Sequence, residues 1–126
     1  MRKFSGAATW LAAALALGAP AAALAHAELV SSTPAANRAA HGVTQITLTF
    51  SEAVAPRLSG ATVTMTGMPG MAGHQMAISD LRAAVHGKTL TLTSPKPLAA
   101  GTYRVDWHAV ADDSHRETGS YSFTVS

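Results

Sequence analysis

The chain has 126 residues, contains no cysteine and carries a formal net charge of +2 at neutral pH. Its first 25 residues have the composition of an export signal, and without Arg2 and Lys3 the remaining seven basic residues balance the seven acidic ones. This near-neutral charge gives no support for a nucleic-acid or anionic-membrane partner, and the lack of cysteine excludes disulfides and thiolate metal ligands.

An export signal is predicted at residues 1–25. It starts with two basic residues, continues with the apolar stretch Trp10–Leu17, and ends in Ala23-Leu24-Ala25, which has the small-x-small form of a cleavage motif. The apolar stretch is too short and too rich in alanine for a membrane span. We therefore expect a cleaved signal peptide followed by one exported, soluble domain, residues 26–126.

Cleavage after Ala25 would make His26 the new N-terminus. The freed α-amine and the imidazole of His26 could then close a six-membered chelate ring on a metal ion, which an internal histidine cannot do. The alternative is an ordinary exposed histidine on a frayed chain end.

Alternation of apolar and polar residues with a period of two is the dominant pattern after residue 26. It predicts five strands, at Gln45–Phe50, Ala61–Met65, Thr89–Thr93, Thr102–Val110 and Ser120–Val125. Turns that contain proline or glycine separate these strands. Short strands at this spacing, each with one apolar face, predict an all-β fold, an antiparallel sandwich or barrel.

Four of the five methionines fall between residues 65 and 76. The segment contains Met65, Met68, Met71, His74 and Met76, interspersed with Gly67, Pro69, Gly70 and Gly73. The glycines and the proline argue against a helix or a regular strand, so a flexible loop is expected. Thioethers together with an imidazole select Cu(I) over harder ions. The segment therefore indicates a soft-metal site, with an accidental methionine-rich turn as the alternative.

Asp113 and His115 are two residues apart between the last two predicted strands, so their side chains point the same way in an extended chain. Alone, the pair fits a polar turn in which an aspartate accepts a backbone hydrogen bond. Together with the amine and imidazole of His26, it offers three nitrogens and one oxygen. That donor set suits Cu(II) in a tetragonal plane or zinc in a tetrahedron, and the methionine segment favours copper.

The three remaining histidines give weaker signals. His41 and His86 each precede a glycine and are predicted in turns. His108 follows Trp107 on a predicted strand and faces the opposite side, as a surface or hydrogen-bonded histidine would.

Over nearly all of residues 26–126, the chain resembles the CopC family of exported copper-binding proteins. The stretches that carry the resemblance are His26–Pro34, Ile46–Val54, Leu98–Trp107 and Asp113–Val125. Their order, behind an Ala-x-Ala cleavage motif, is specific to the family. The resemblance implies a small Greek-key β-sandwich or barrel of the cupredoxin and immunoglobulin-like kind.

The same resemblance implies a periplasmic location and two copper sites. The Cu(II) site would comprise His26, Asp113 and His115, with Glu52 as a candidate outer-shell partner. The Cu(I) site, at the other end of the barrel, would comprise Met65, Met68, Met71, His74 and Met76. A working partner is implied as well, such as an inner-membrane copper importer of the CopD type or a periplasmic multicopper oxidase.

We therefore expect a protein that buffers or carries copper for resistance and homeostasis and catalyses nothing. An enzymatic alternative exists, because an N-terminal histidine chelate also occurs in copper oxygenases that attack polysaccharides. Asp113 would add a charged donor in the copper plane, which stabilises Cu(II) and opposes redox cycling. The third hypothesis is a β-sandwich interaction module that binds no metal.

Overall fold

Nine β-strands make up the regular structure of residues 26–126. The computed structural model describes residues 26–126, without the side chains of Ala72 and His74, so the predicted signal peptide lies outside the described residues. The strands are β1 (Leu29–Thr33), β2 (Ala39–Ala40), β3 (Gln45–Phe50), β4 (Gly60–Met68), β5 (Met71–Ile78), β6 (Arg82–His86), β7 (Thr89–Thr93), β8 (Gly101–Val110) and β9 (Arg116–Val125). No helix in this part of the chain is long and apolar enough to cross a membrane.

The strands form two sheets that pack face to face. One has four strands in the order β1-β3-β7-β6, and the other has five in the order β2-β9-β8-β4-β5. Neighbouring strands are antiparallel, except that the short β2 runs parallel to β9. The prediction of an all-β sandwich is therefore confirmed.

The core lies between the sheets and is built by the alternating positions that predicted the strands. One sheet contributes Ile46, Leu48, Phe50, Leu90 and Leu92, and the other contributes Val63, Met65, Tyr103, Val105, Trp107 and Phe123. Burial of each large side chain of this kind contributes about 1.5–3 kcal/mol. The rings of Phe50 and Trp107 meet edge to face across the sandwich, with centroids 5.2 Å apart. A cysteine-free domain thus obtains its stability from a continuous apolar core.

The methionine segment forms a β-hairpin, so the expectation of a flexible loop is wrong. Strands β4 and β5 pair with Met65 opposite Met76 and Met68 opposite Met71. Pro69 and Gly70 are the two residues of the turn between them, and Gly70 has a φ of +79°. Proline followed by a glycine with positive φ is typical of the central positions of a tight turn. The proline and glycines that suggested a loop therefore form the tight turn of the hairpin and lie where the pairing of β4 and β5 is irregular.

Strand β9 begins four residues earlier than the sequence predicted. It pairs with β8 without interruption from Val110–Arg116 to Gly101–Val125. Within this pairing Gly119 lies opposite Trp107, and a Cβ at residue 119 would lie 2.5 Å from an indole carbon. Gly119, which the sequence suggested would interrupt a strand, therefore lies within β9, and its lack of a side chain leaves room for the indole ring of Trp107.

Candidate metal centres

The backbone at His26 is held in place by Ser51, which directly follows β3. The Ser51 hydroxyl donates a hydrogen bond to the carbonyl of His26 at 2.9 Å and accepts one from the amide of Glu28 at 3.0 Å. The Ser51 amide donates in turn to the carbonyl of Glu28 at 2.9 Å, and Ala27 is fully buried. His26 therefore lies at a fixed place on the sandwich, which argues against the frayed-end alternative.

A tight turn between β8 and β9 positions His115. The amide of Ser114 donates to the carbonyl of Ala111 at 2.9 Å, and Ser114 adopts a left-handed conformation with a φ of +66°. The Asp113 carboxylate accepts a hydrogen bond from the amide of His115 at 2.9 Å. This is the turn-forming role that short acidic side chains often have, and it fixes the backbone that carries the His115 imidazole.

Three side chains converge at this end of the sandwich: His26, His115 and Glu117. Oε2 of Glu117 lies 3.0 Å from Nδ1 of His26 and 3.2 Å from Nε2 of His115. The two imidazole rings are 4.7 Å apart between centroids. Two donor atoms that each lie about 2.0 Å from one metal ion are about 2.8 Å apart at a right angle and about 3.3 Å apart at the tetrahedral angle. The two contacts therefore have the spacing of neighbouring ligands on one ion.

Nδ1 of His26 is the ring nitrogen that faces this cluster. It is also the nitrogen that forms a six-membered chelate ring with the α-amine of the same residue. Although Nδ1 is buried and close to Glu117, it has no hydrogen-bond partner among the described residues. The contact is short in distance but lacks the direction of a hydrogen bond. A buried polar atom without a partner calls for an explanation, and a metal ion shared with the carboxylate would supply it.

Of the residues predicted for the Cu(II) site, the structure brings His26 and His115 together. Asp113 is exposed, and its carboxylate serves the turn; Glu52 is exposed as well. Within residues 26–126, neither of them belongs to the three-residue cluster. Glu117 was missed by the sequence analysis because β9 was expected to begin at Ser120. A longer strand would have placed Glu117 on the same side as His115, two residues away.

The predicted Cu(I) ligands lie on the hairpin of β4 and β5. Met71 and Met76 are 49% and 46% exposed, and Met68 is partly buried against the core. Met65 is only 2% exposed and is part of the core itself. The structure thus presents thioethers of different accessibility in two cross-strand pairs, Met65–Met76 and Met68–Met71.

Strand β8 separates the two candidate centres. Met65 pairs with Tyr103 near the beginning of β8, whereas the residue that follows His115 pairs with Val110 at its end. Seven residues of extended chain span about 24 Å. The two clusters therefore lie at opposite ends of the sandwich, and no single ion could contact both.

His108 lies on the outer face of β8, away from both centres. The pKa of His108 is lowered, first by partial burial and then by the positive charge of Arg116. It does not belong to the cluster of His26 within the described part of the chain. This agrees with its assignment as a surface histidine.

Known proteins are similar to this chain over most of its length. The model of the CopC domain family matches residues 29–126. The chain is 43% identical over 117 residues to "Copper resistance protein C" of Escherichia coli, covering 91% of this chain and 93% of that one. It is 48% identical over 105 residues to the protein of the same name from Pseudomonas syringae pv. tomato, covering 80% and 81%.

Solved structures give the same result for the fold. The crystal structure of PcoC, described as a methionine-rich copper resistance protein from Escherichia coli, superposes with a TM-score of 0.73 at 42% identity and covers 81% of this chain and 100% of that one. CopC from Methylosinus trichosporium OB3b superposes with a TM-score of 0.63 at 28% identity, covering 79% and 93%.

Proposed function

This chain belongs to the CopC family, as its sequence predicted, and we propose that it is an exported protein that binds copper and carries or buffers it in the periplasm. Relatives of 43% and 48% identity are named copper resistance proteins. The single observation that carries the proposal is the convergence of Nδ1 of His26 and Nε2 of His115 on one carboxylate oxygen. Imidazole nitrogens of this kind suit copper.

The proposed Cu(II) centre uses the processed N-terminus. Cleavage after Ala25 would free the α-amine of His26 beside the clustered imidazoles. The donors are then that amine, the imidazoles of His26 and His115, and a carboxylate, for which the sequence offers Asp113. Ser51 and the β8–β9 turn hold these groups in place before the ion arrives, which lowers the cost of binding.

The proposed Cu(I) centre is the methionine hairpin. Met68, Met71 and Met76 are the accessible thioethers, and a soft monovalent ion prefers such ligands. Met65 has the weakest claim to be a ligand because its side chain already packs in the core. His74 lies in the irregular part of β5 and completes the proposed set.

The two proposed centres differ in their donor atoms. Nitrogen and oxygen donors would bind Cu(II), and thioether sulfurs would bind Cu(I). Because they lie at opposite ends of β8, they would load and unload independently. We propose transport and buffering rather than catalysis, because a carboxylate donor beside the imidazoles would stabilise Cu(II) and oppose redox cycling. Met71 and Met76 lie on β5, an edge strand of its sheet, where a partner such as a CopD-type importer or a multicopper oxidase could approach them.

Anaerobic titration of the processed protein with Cu(II) and Cu(I) tests this proposal. We expect one equivalent of each ion. His115→Ala should abolish Cu(II) binding and spare Cu(I), whereas replacement of Met68, Met71 and Met76 by leucine should do the reverse. Met65→Leu is the matched control on the same hairpin and should bind both ions.

Two results of that titration would contradict the proposal. One is Cu(II) binding of unchanged strength in a form with one extra residue before His26, since that residue moves the α-amine away. The other is loss of both ions in either variant while circular dichroism shows an intact fold, since that would mean one shared site.

A further inference from the structure

We propose that Glu117 is a copper ligand of the Cu(II) centre, in addition to the donors that the sequence identifies. The inference rests on the proposed function, because it assigns a further donor to the same centre. The geometry points to Glu117 because Oε2 is the atom on which both imidazoles converge, at 3.0 Å and 3.2 Å.

The position of Glu117 in strand β9 is unusual for a carboxylate. Its cross-strand partner on β8 is Ala109, which is fully buried, and directly paired residues share a face of the sheet. The following positions on that face are Gly119, Tyr121 and Phe123, so Glu117 occupies the inner face of the sandwich. A carboxylate oriented toward the interior is destabilising unless it is paired with a cation or fully hydrogen-bonded.

The contacts of Glu117 within the cluster do not meet that requirement by hydrogen bonding alone. Its side chain is 29% exposed, compared with 53% for His115. Within the part of the chain that the structure describes, the close Nδ1 atom of His26 remains without a hydrogen-bond partner. A divalent cation between these three atoms would satisfy the buried nitrogen and neutralise the carboxylate at the same time. Strand β9 positions Glu117, the β8–β9 turn positions His115, and Ser51 fixes the backbone of His26. Because three separate elements bring these donor atoms together, the cluster has the character of a preformed metal site.

Asp113 differs from Glu117 in each of these respects. It is exposed, it lies in a turn, and its carboxylate accepts the amide hydrogen of His115 at 2.9 Å. An asparagine at residue 113 would keep an oxygen that can accept this hydrogen bond. The two carboxylates can therefore be tested separately, since Asp113→Asn preserves the turn and Glu117→Gln preserves the shape of the side chain.

The experiment compares the processed wild type with Glu117→Gln, Asp113→Asn and Glu28→Gln. Glu28 is exposed near the same chain terminus and lies outside the cluster, so it is the matched control for removal of a charge. Cu(II) affinity is measured by competition with a chelator, and the copper environment by electron paramagnetic resonance. Cu(I) affinity and circular dichroism report on the hairpin and on the fold.

We expect Glu117→Gln to weaken Cu(II) binding at least about tenfold and to change the copper hyperfine pattern, while Cu(I) affinity stays the same. Glu28→Gln should match the wild type in every measurement. An unchanged spectrum and affinity in Glu117→Gln would overturn the assignment and leave the proposed function standing. If the processed wild type binds no Cu(II), the proposed function fails and the assignment fails with it.

Discussion

The hydroxyl of Ser51 should control how tightly this protein binds Cu(II). Ser51→Ala removes two hydrogen bonds, one to the carbonyl of His26 and one from the amide of Glu28. The bond between the Ser51 amide and the Glu28 carbonyl remains. Each lost bond contributes about 0.5–1.5 kcal/mol. Because both bonds are at least partly exposed to water, we expect about 1–2 kcal/mol for the pair.

That free energy is the largest cost that binding can acquire, because the N-terminus must be ordered again when copper arrives only as far as it is loosened in the free protein. Since 1.4 kcal/mol corresponds to a factor of ten, Cu(II) affinity should fall by a factor of up to about 30. The affinity of the hairpin for Cu(I) should not change. Ser51→Thr retains the hydroxyl and should recover most of the lost affinity.

Trp107 provides the assay for this prediction. It is the only tryptophan in residues 26–126, and its partner Gly119 is two residues from Glu117 on β9, which corresponds to about 7 Å. Bound Cu(II) should therefore quench its fluorescence up to one equivalent. Ser94→Ala is the control, because the Ser94 hydroxyl donates to a backbone carbonyl, that of Lys96, in a different connection.

Three results would refute the reasoning about Ser51. The first is Cu(II) binding by Ser51→Ala that equals that of the wild type. The second is an equal loss of affinity in Ser94→Ala, which would indicate a general effect of lost hydrogen bonds. The third is a parallel loss of Cu(I) affinity, which would mean that the change spreads through the whole sandwich.

Two further predictions concern stability. Gly119→Ala places a methyl group 2.5 Å from an indole carbon of Trp107, so it should destabilise the domain by about 1–3 kcal/mol in urea denaturation; an unchanged midpoint would contradict the packing. Because burial and Arg116 lower the pKa of His108 below its ordinary 6.5, the unfolded chain binds more protons there as pH falls. The wild type should therefore lose more stability than His108→Gln between pH 7 and pH 5, and identical losses would rule out this histidine as the cause.

The sequence predicted the strands well where one face is apolar and the other is polar. In β3, Ile46, Leu48 and Phe50 are buried while Thr47 and Thr49 are only partly so, and this contrast is visible without a structure. The sequence also predicted that His26 and His115 belong together, and the structure places their side chains in one cluster. The resemblance of the chain to the CopC family is confirmed by the match to the CopC domain over residues 29–126.

The sequence could not predict features that depend on neighbouring strands. Gly67 is a poor strand residue by itself, yet β4 is held between β5 and β8, and tertiary pairing outweighs its local preference. Gly119 suggested a break in the strand because glycine is a poor strand residue. The indole ring that requires a glycine there belongs to the neighbouring strand β8, so this requirement is not visible along the sequence. That misjudgement ended the predicted β9 too early and concealed Glu117, whose significance appears only once His26 lies beside it.

The uneven pairing of β4 and β5 has a consequence for the behaviour of this protein at high concentration. Between the pairs Met65–Met76 and Gly67–Ala72, β4 advances by two residues and β5 by four. Because β5 is an edge strand of its sheet, an even and apolar edge would invite edge-to-edge association with other molecules. The extra residues around Gly73 bend the strand and interrupt its ladder. Sulfur-rich side chains can thus stay accessible without turning this edge into a template for aggregation.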